Sequence, residues 1–202
     1  MTMTIQSFLA LFQLSFAQPK QAAEAVLALN IPREALWLLV SLAVILSTIS
    51  GVLGQTIATP TEQQQQAMQL IPTNPVLFLV MYAVFIVAFM GAVHVAGLAF
   101  KSQGSFDECV VVLSWWLIIS NTARIMGLFL ALLSPMLGGL VLLGLVGYGI
   151  WILVNFADVI FRFNSLGKSA LMLFLAFMGL VFAAAMILAI FGFTPPEGAA
   201  NV

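Results

Sequence analysis

The sequence predicts an all-α, polytopic membrane helical bundle of about five transmembrane helices preceded by N-terminal interfacial amphipathic helices, and three observations predict it. Hydrophobic residues make up 63% of the 202-residue chain and charged residues 6%, against roughly 25% charged in a soluble domain. Five stretches are long, apolar and almost free of charge. About 20 such residues cross a bilayer, because lipid cannot satisfy backbone hydrogen bonds that a helix satisfies internally. The Lys and Arg residues outside the spans collect on one side of the implied topology, as short cytoplasmic loops require.

Taken in order, Ser7 to Ala17 is apolar, with Ile5, Phe8, Leu9, Phe12 and Phe16 at helical spacing and Gln6 and Gln13 elsewhere on the wheel. Ser15-Phe16-Ala17 superficially resembles a signal-peptidase site, but no positive charge precedes it, so a retained helix lying in the headgroup region is preferred to a cleaved signal. Pro19 to Leu29 reads as a second short amphipathic helix, broken from the first span by Asn30-Ile31-Pro32. The spans then run approximately from Ala35 to Leu53, Val76 to Phe100, Cys109 to Leu133, Met136 to Phe156 and Ser169 to Phe191. Pro32, Pro75 and Pro135 sit where a first helical turn tolerates a missing donor, and Asn74 and Ser134 suit N-caps. Ser105-Phe106-Asp107-Glu108 reads as a capping box opening the third span. The division is therefore 1–33 for the N-terminal helices, 34–193 for the membrane domain and 194–202 for a short tail.

Lys20, Arg33, Lys101, Arg162 and Lys168 all fall on one side, whereas the loop from Gln55 to Thr73, the turn at Ser134-Pro135 and the tail from Thr194 hold neither Lys nor Arg. The expectation is an N-terminus inside and a C-terminus outside. Gln63 to Gln66 reads as solvated linker. A formal net charge of -1, with only six Lys and Arg, argues against a nucleic-acid partner. Cys109 stands alone, which leaves no intramolecular disulfide or CxxC pair.

Polar residues inside spans are the usual pointers to function. Asp107, Ser114, Asn121 and Arg124 share one face of the third span, and Tyr148, Asn155 and Arg162 share one face of the fourth, with Asp158 between the last two. If Ser134-Pro135 folds these helices back antiparallel, Asp107 comes level with Arg162, Ser114 with Asn155 and Asn121 with Tyr148. These six residues form a candidate interhelical polar seam, read as helix glue worth on average about 0.6 kcal/mol per hydrogen bond, in preference to an ion or proton path. Arg124 lies about 15 Å below the outer turn, at about 1.5 Å per residue, so it must snorkel outward or find an acceptor. His94, the only histidine, is a candidate proton relay, with a neutral ring bonded to a carbonyl as the blander reading. Ala88, Ala92 and Ala96, and Gly179 with Ala183, are small-residue stripes that permit close packing. HExxH, GxSxG, a second histidine, paired intramembrane aspartates and a phosphate-cradling loop are all missing, so no catalytic residue, metal site or cofactor is assigned.

Gly104-Ser105-Phe106 opening a span, Tyr148-Gly149-Ile150-Trp151 within the next, and Asn164-Ser165-Leu166-Gly167-Lys168-Ser169-Ala170 opening the last resemble the Yip family, the Rab-interacting membrane proteins of vesicle transport. Gln18-Pro19-Lys20 and Ile31-Pro32-Arg33-Glu34 resemble its bacterial branch, and the resemblance covers about residues 5 to 192. It implies a five-span, N-inside, C-outside protein without enzymatic activity, in a bacterial cytoplasmic (inner) membrane. The chain departs from the eukaryotic branch in lacking a long hydrophilic N-terminal segment and in having Ser120-Asn121 where relatives often place proline. GTPase binding is therefore not carried over. Two functions remain: a membrane-organising or accessory protein whose partners are the lipid bilayer and other membrane proteins or itself, and a small transporter or channel subunit with a polar path through His94 and Arg124.

Overall fold

The computed structural model describes residues 5–57 and 74–190. The run Gln63 to Gln66, most of the loop that contains it and the tail 194–202 lie outside the described residues. Among the described residues there are seven helices: α1 (Ile5–Ala17), α2 (Pro19–Ala28), α3 (Arg33–Ile57), α4 (Pro75–Ala99), α5 (Phe106–Leu133), α6 (Pro135–Phe161) and α7 (Leu166–Ile190). The last five are long and apolar enough to cross a membrane.

Local chemistry sets the boundaries. The Asn74 side chain accepts from the amides of Val76 and Leu77 at 2.9 and 3.3 Å, and Pro75 opens α4. At α5 the capping box is complete: Ser105 Oγ accepts from the Glu108 amide, and Glu108 Oε2 accepts from the Ser105 amide at 2.8 Å. Each of these satisfies a first-turn donor that has no intrahelical partner. Pro32 acts one position earlier than a first-turn proline, since its carbonyl accepts from Ala35 and Leu36. At the far end of α4 the Lys101 amide donates to Leu98 and the Ser102 amide to Gly97. That is the paired bonding of a Schellman ending, with Lys101 at φ 56° where glycine is usual.

Helix α5 is the axis of the bundle, packing most extensively on α6 and α3 and also touching α2 and α4, while α7 lies across α4 and α6. The core runs along it, from Cys109 through Val112, Leu113 and Ile119, and meets Met90 and Val93 of α4, Phe156 and Ile160 of α6 and Met172 of α7. The outer faces of α4, α6 and α7 are apolar too, with Val84, Val95, Leu143 and Phe182 among the exposed side chains. Such surfaces suit lipid as solvent rather than water.

The N-terminal helices pack on the bundle. In α2, Pro19, Ala22, Ala23 and Val26 are buried against α5 and α6. The Phe8 ring stands edge-on to Trp115 at 5.3 Å, and Phe16 stacks on Tyr148 at 6.0 Å. Tyr148 is thirteen residues before the end of α6, which is about 20 Å along the axis. Part of the Phe-rich face expected at the acyl boundary thus meets protein.

Candidate functional site

The antiparallel register expected for α5 and α6 is present. Trp116 Nε1 donates to the Gly149 carbonyl at 2.8 Å, Arg162 Nη2 meets Glu108 Oε1 at 2.8 Å, and Leu142 lies over Gly127. The rotation of the two helices differs from the expected one, however, and the polar residues go to other neighbours. Asp107 pairs with Arg33 of α3 at 3.3 Å instead of with Arg162. Asn121 turns to α3, where Nδ2 donates to Ser47 Oγ at 2.6 Å and Oδ1 accepts from Ser50 Oγ at 2.7 Å. Tyr148 donates to the Phe16 carbonyl of α1, and Asn155 donates to Trp151 within its own helix. The Ser114 hydroxyl is buried with no partner among the described residues. The physical reason is satisfaction: two hydroxyls and the Leu117 carbonyl use both ends of the Asn121 amide, which one phenol facing it could not do. Replacing Asn121 with alanine is expected to cost about 1 to 2 kcal/mol, from two interhelical bonds in a membrane protein, with unfolding in mixed micelles as the measurement. A change within error would mean that the bonds add nothing over those of the unfolded helices.

A second polar node involves a residue that the sequence pattern did not single out. Asp158, in the last turn of α6, is buried, and Lys20 of α2 reaches its Oδ2 at 2.6 Å. Its Oδ1 accepts from the Ser165 amide at 2.8 Å and from Ser169 Oγ at 3.1 Å. One carboxylate therefore joins α2, α6 and the start of α7. The usable signal was its position, because the negative end of a helix dipole repels a carboxylate and so requires donors nearby. Above this node, Trp115 Nε1 donates to Ser15 Oγ at 2.9 Å, and Ser15 Oγ donates to the Leu11 carbonyl.

His94 and Arg124 are far apart. The His94 ring stands edge-on to Phe106 at 5.6 Å, and its Nδ1 is 4.0 Å from Cys109 Sγ, in the first turn of α5. Arg124 lies fifteen residues beyond Cys109 on the same helix, about 22 Å along the axis. Its side chain is exposed and runs beside Gly54, near the end of α3, where helix carbonyls favour a cation. No group of three or more potential metal ligands occurs among the described residues.

Five apolar spans, with the polar-laced α5 as their axis, define a multi-pass integral membrane protein. The family model described as the Yip1 domain matches residues 14–187, and the chain belongs to the Yip family. No curated protein and no solved structure gives a match.

Proposed function

We propose that this Yip-family protein is a non-enzymatic membrane-organising or accessory component that works by contact with other membrane proteins or with itself. One observation carries the reading against a solute path: His94 of α4 sits beside Cys109, and about 22 Å of α5 separates Cys109 from Arg124. The buried polar side chains between them act as helix fasteners, Asn121 to α3 and Trp115 to α1. The seam residues are thus structural on this reading, and the working surface is the exposed Arg124 side chain of α5 together with the exposed apolar face of α4, α6 and α7 with its small-residue stretches. Gly179, for instance, has open space around it, which lets another helix approach closely.

The concentration of Lys20, Arg33, Lys101, Arg162 and Lys168 toward one end of the bundle supports an N-terminus inside and a C-terminus outside. The bacterial-type motifs around Pro19 and Pro32 support a cytoplasmic membrane of bacterial type. The division then reads as 1–33 for an N-terminal unit whose helices α1 and α2 dock on the bundle, 34–193 for the membrane domain and 194–202 for an outer tail.

The test is a crosslinking pulldown from native membranes after gentle solubilisation, with Arg124→Ala beside the wild type. Recovery of one membrane protein in fixed ratio is expected, with a drop of about fivefold in the variant if the exposed guanidinium makes one worthwhile contact. Recovery of the chain alone, together with solute flux in liposomes that Arg124→Ala abolishes, would replace the accessory reading with transport.

A further inference from the structure

At the end of the bundle where α3 and α5 begin, a crevice of about 190 Å³ opens between Arg33, Leu36, Trp37, Phe106, Asp107 and Val110. Its rim carries one cation and one anion, and its walls are aliphatic and aromatic. We propose that it binds a phospholipid with a zwitterionic amine headgroup, the phosphate on Arg33 and the ammonium on Asp107, with an acyl chain leaving over Trp37 into the bilayer.

The rim pair suits an exchangeable ligand. Arg33 and Asp107 approach at 3.3 and 3.4 Å, with side chains 78% and 48% exposed. An ion pair so exposed contributes little by itself, so little is lost when a headgroup enters. The guanidinium has five donors, of which Nε bonds Asp107 Oδ1 while Nη2 only approaches Oδ2, which leaves donors for a phosphate. The carboxylate offers acceptor sites that an ammonium can fill and a quaternary amine cannot.

The apolar walls decide for a lipid over a soluble phosphoamine. Leu36 and Val110 are buried beneath the rim, while Trp37, one turn into α3, is 51% exposed, at the level where membrane proteins place indoles. Phe106 is backed by the His94 ring, which fixes that wall. At about 190 Å³, against the about 10–15 Å³ that admits one water, the crevice has room for a headgroup and not for an acyl chain, which therefore stays outside on the lipid-facing surface. Because the rim charges are balanced, an anionic lipid would gain Arg33 but meet Asp107 with like charge, and it is disfavoured.

Native mass spectrometry of the full chain, released from micelles doped with equimolar phosphatidylethanolamine, phosphatidylcholine and phosphatidylglycerol of matched chains, tests this. Phosphatidylethanolamine adducts are expected to exceed each of the others by about fivefold, the ratio that one charge-assisted contact gives at a half-exposed site. Asp107→Asn should level the two zwitterionic lipids, and Arg33→Gln should lower all three. Equal adducts on the wild type overturn the proposal without reference to any variant. So does an unchanged ratio in a folded Asp107→Asn protein. Displacement of the lipid by glycerophosphoethanolamine at equal concentration would also overturn it, since the free headgroup would then be the ligand. None of these outcomes depends on the protein partner proposed above.

Discussion

Lys20→Met is expected to destabilise the protein by about 2 to 3 kcal/mol and to release the N-terminal helices from the bundle. Removing one member of a buried ion pair typically costs about 3 to 5 kcal/mol, because the other charge is left without compensation in a medium that solvates it poorly. The lower figure of about 2 to 3 applies because only one partner is buried. The Asp158 side chain is 3% exposed, whereas that of Lys20 is 45% exposed, and Asp158 keeps the Ser165 amide and Ser169 hydroxyl when Lys20 is lost. Methionine retains the apolar stem of Lys20, so lost packing contributes little.

The opposite substitution separates charge from shape. Asp158→Asn keeps a carbonyl for Ser165 and Ser169 and leaves Lys20 free to turn into water, so it is expected to cost less than Lys20→Met. The double variant is expected to be more stable than Lys20→Met alone, because the stranded charge has been removed. Unfolding in mixed micelles measures the three energies, and thiol labelling of Ala22→Cys or Ala23→Cys, at positions with no exposed surface in the docked helix, measures release. A double variant that is the sum of the singles would mean the pair contributes no coupling and that apolar packing of α2 holds the N-terminal helices.

What was legible in the sequence divides along the same line between local and distant interactions. Span starts to within about three residues, the N-caps at Asn74 and Ser134 and the capping box at Ser105 depend on neighbours within one turn and a long apolar run, and they are where the residues indicated, whereas α6 runs on to Phe161, past the expected end at Phe156. The antiparallel register of α5 and α6 also followed, because a tight turn at Ser134 leaves few alternatives. The rotation of those helices did not follow. A wheel gives the face on which Asn121 lies, but whether that face meets Tyr148 or Ser47 depends on which neighbour satisfies more of the amide, a tertiary comparison. Lys20 and Asp158 are 138 residues apart, and no motif links the two. Only the docking of α2 brings them together, and it rests on small residues, Ala22 and Ala23, whose burial no hydrophobic pattern marks strongly.

The second large effect is expected at the contact of the α4 end with the α6 end, where two glycines enclose one aromatic ring. A Cβ on Gly104 would stand 2.7 Å from the Ile160 carbonyl oxygen and 2.8 Å from Phe161 Cδ1, and a Cβ on Gly97 would run into the Phe161 ring itself. Phe161 is 1% exposed and stacks on Phe163 at 5.6 Å, which in turn meets Phe100, so the ring has nowhere to swing. Each glycine-to-alanine change is therefore expected to cost about 1 to 3 kcal/mol by overpacking. The two differ in what they strike, and this gives a sharper expectation. In the Phe161→Leu background, which removes the ring, Gly97→Ala should lose most of its penalty, because the three atoms nearest the new Cβ all belong to that ring. Gly104→Ala should keep most of its penalty in the same background, because the Ile160 carbonyl belongs to the last turn of α6 and cannot withdraw without breaking the helix ending that presents Arg162 to Glu108. Double-variant cycles of unfolding energy measure both couplings. Equal rescue of the two would mean that the α4–α5 link shifts freely, and that Phe161 alone sets the spacing of the helices at this end.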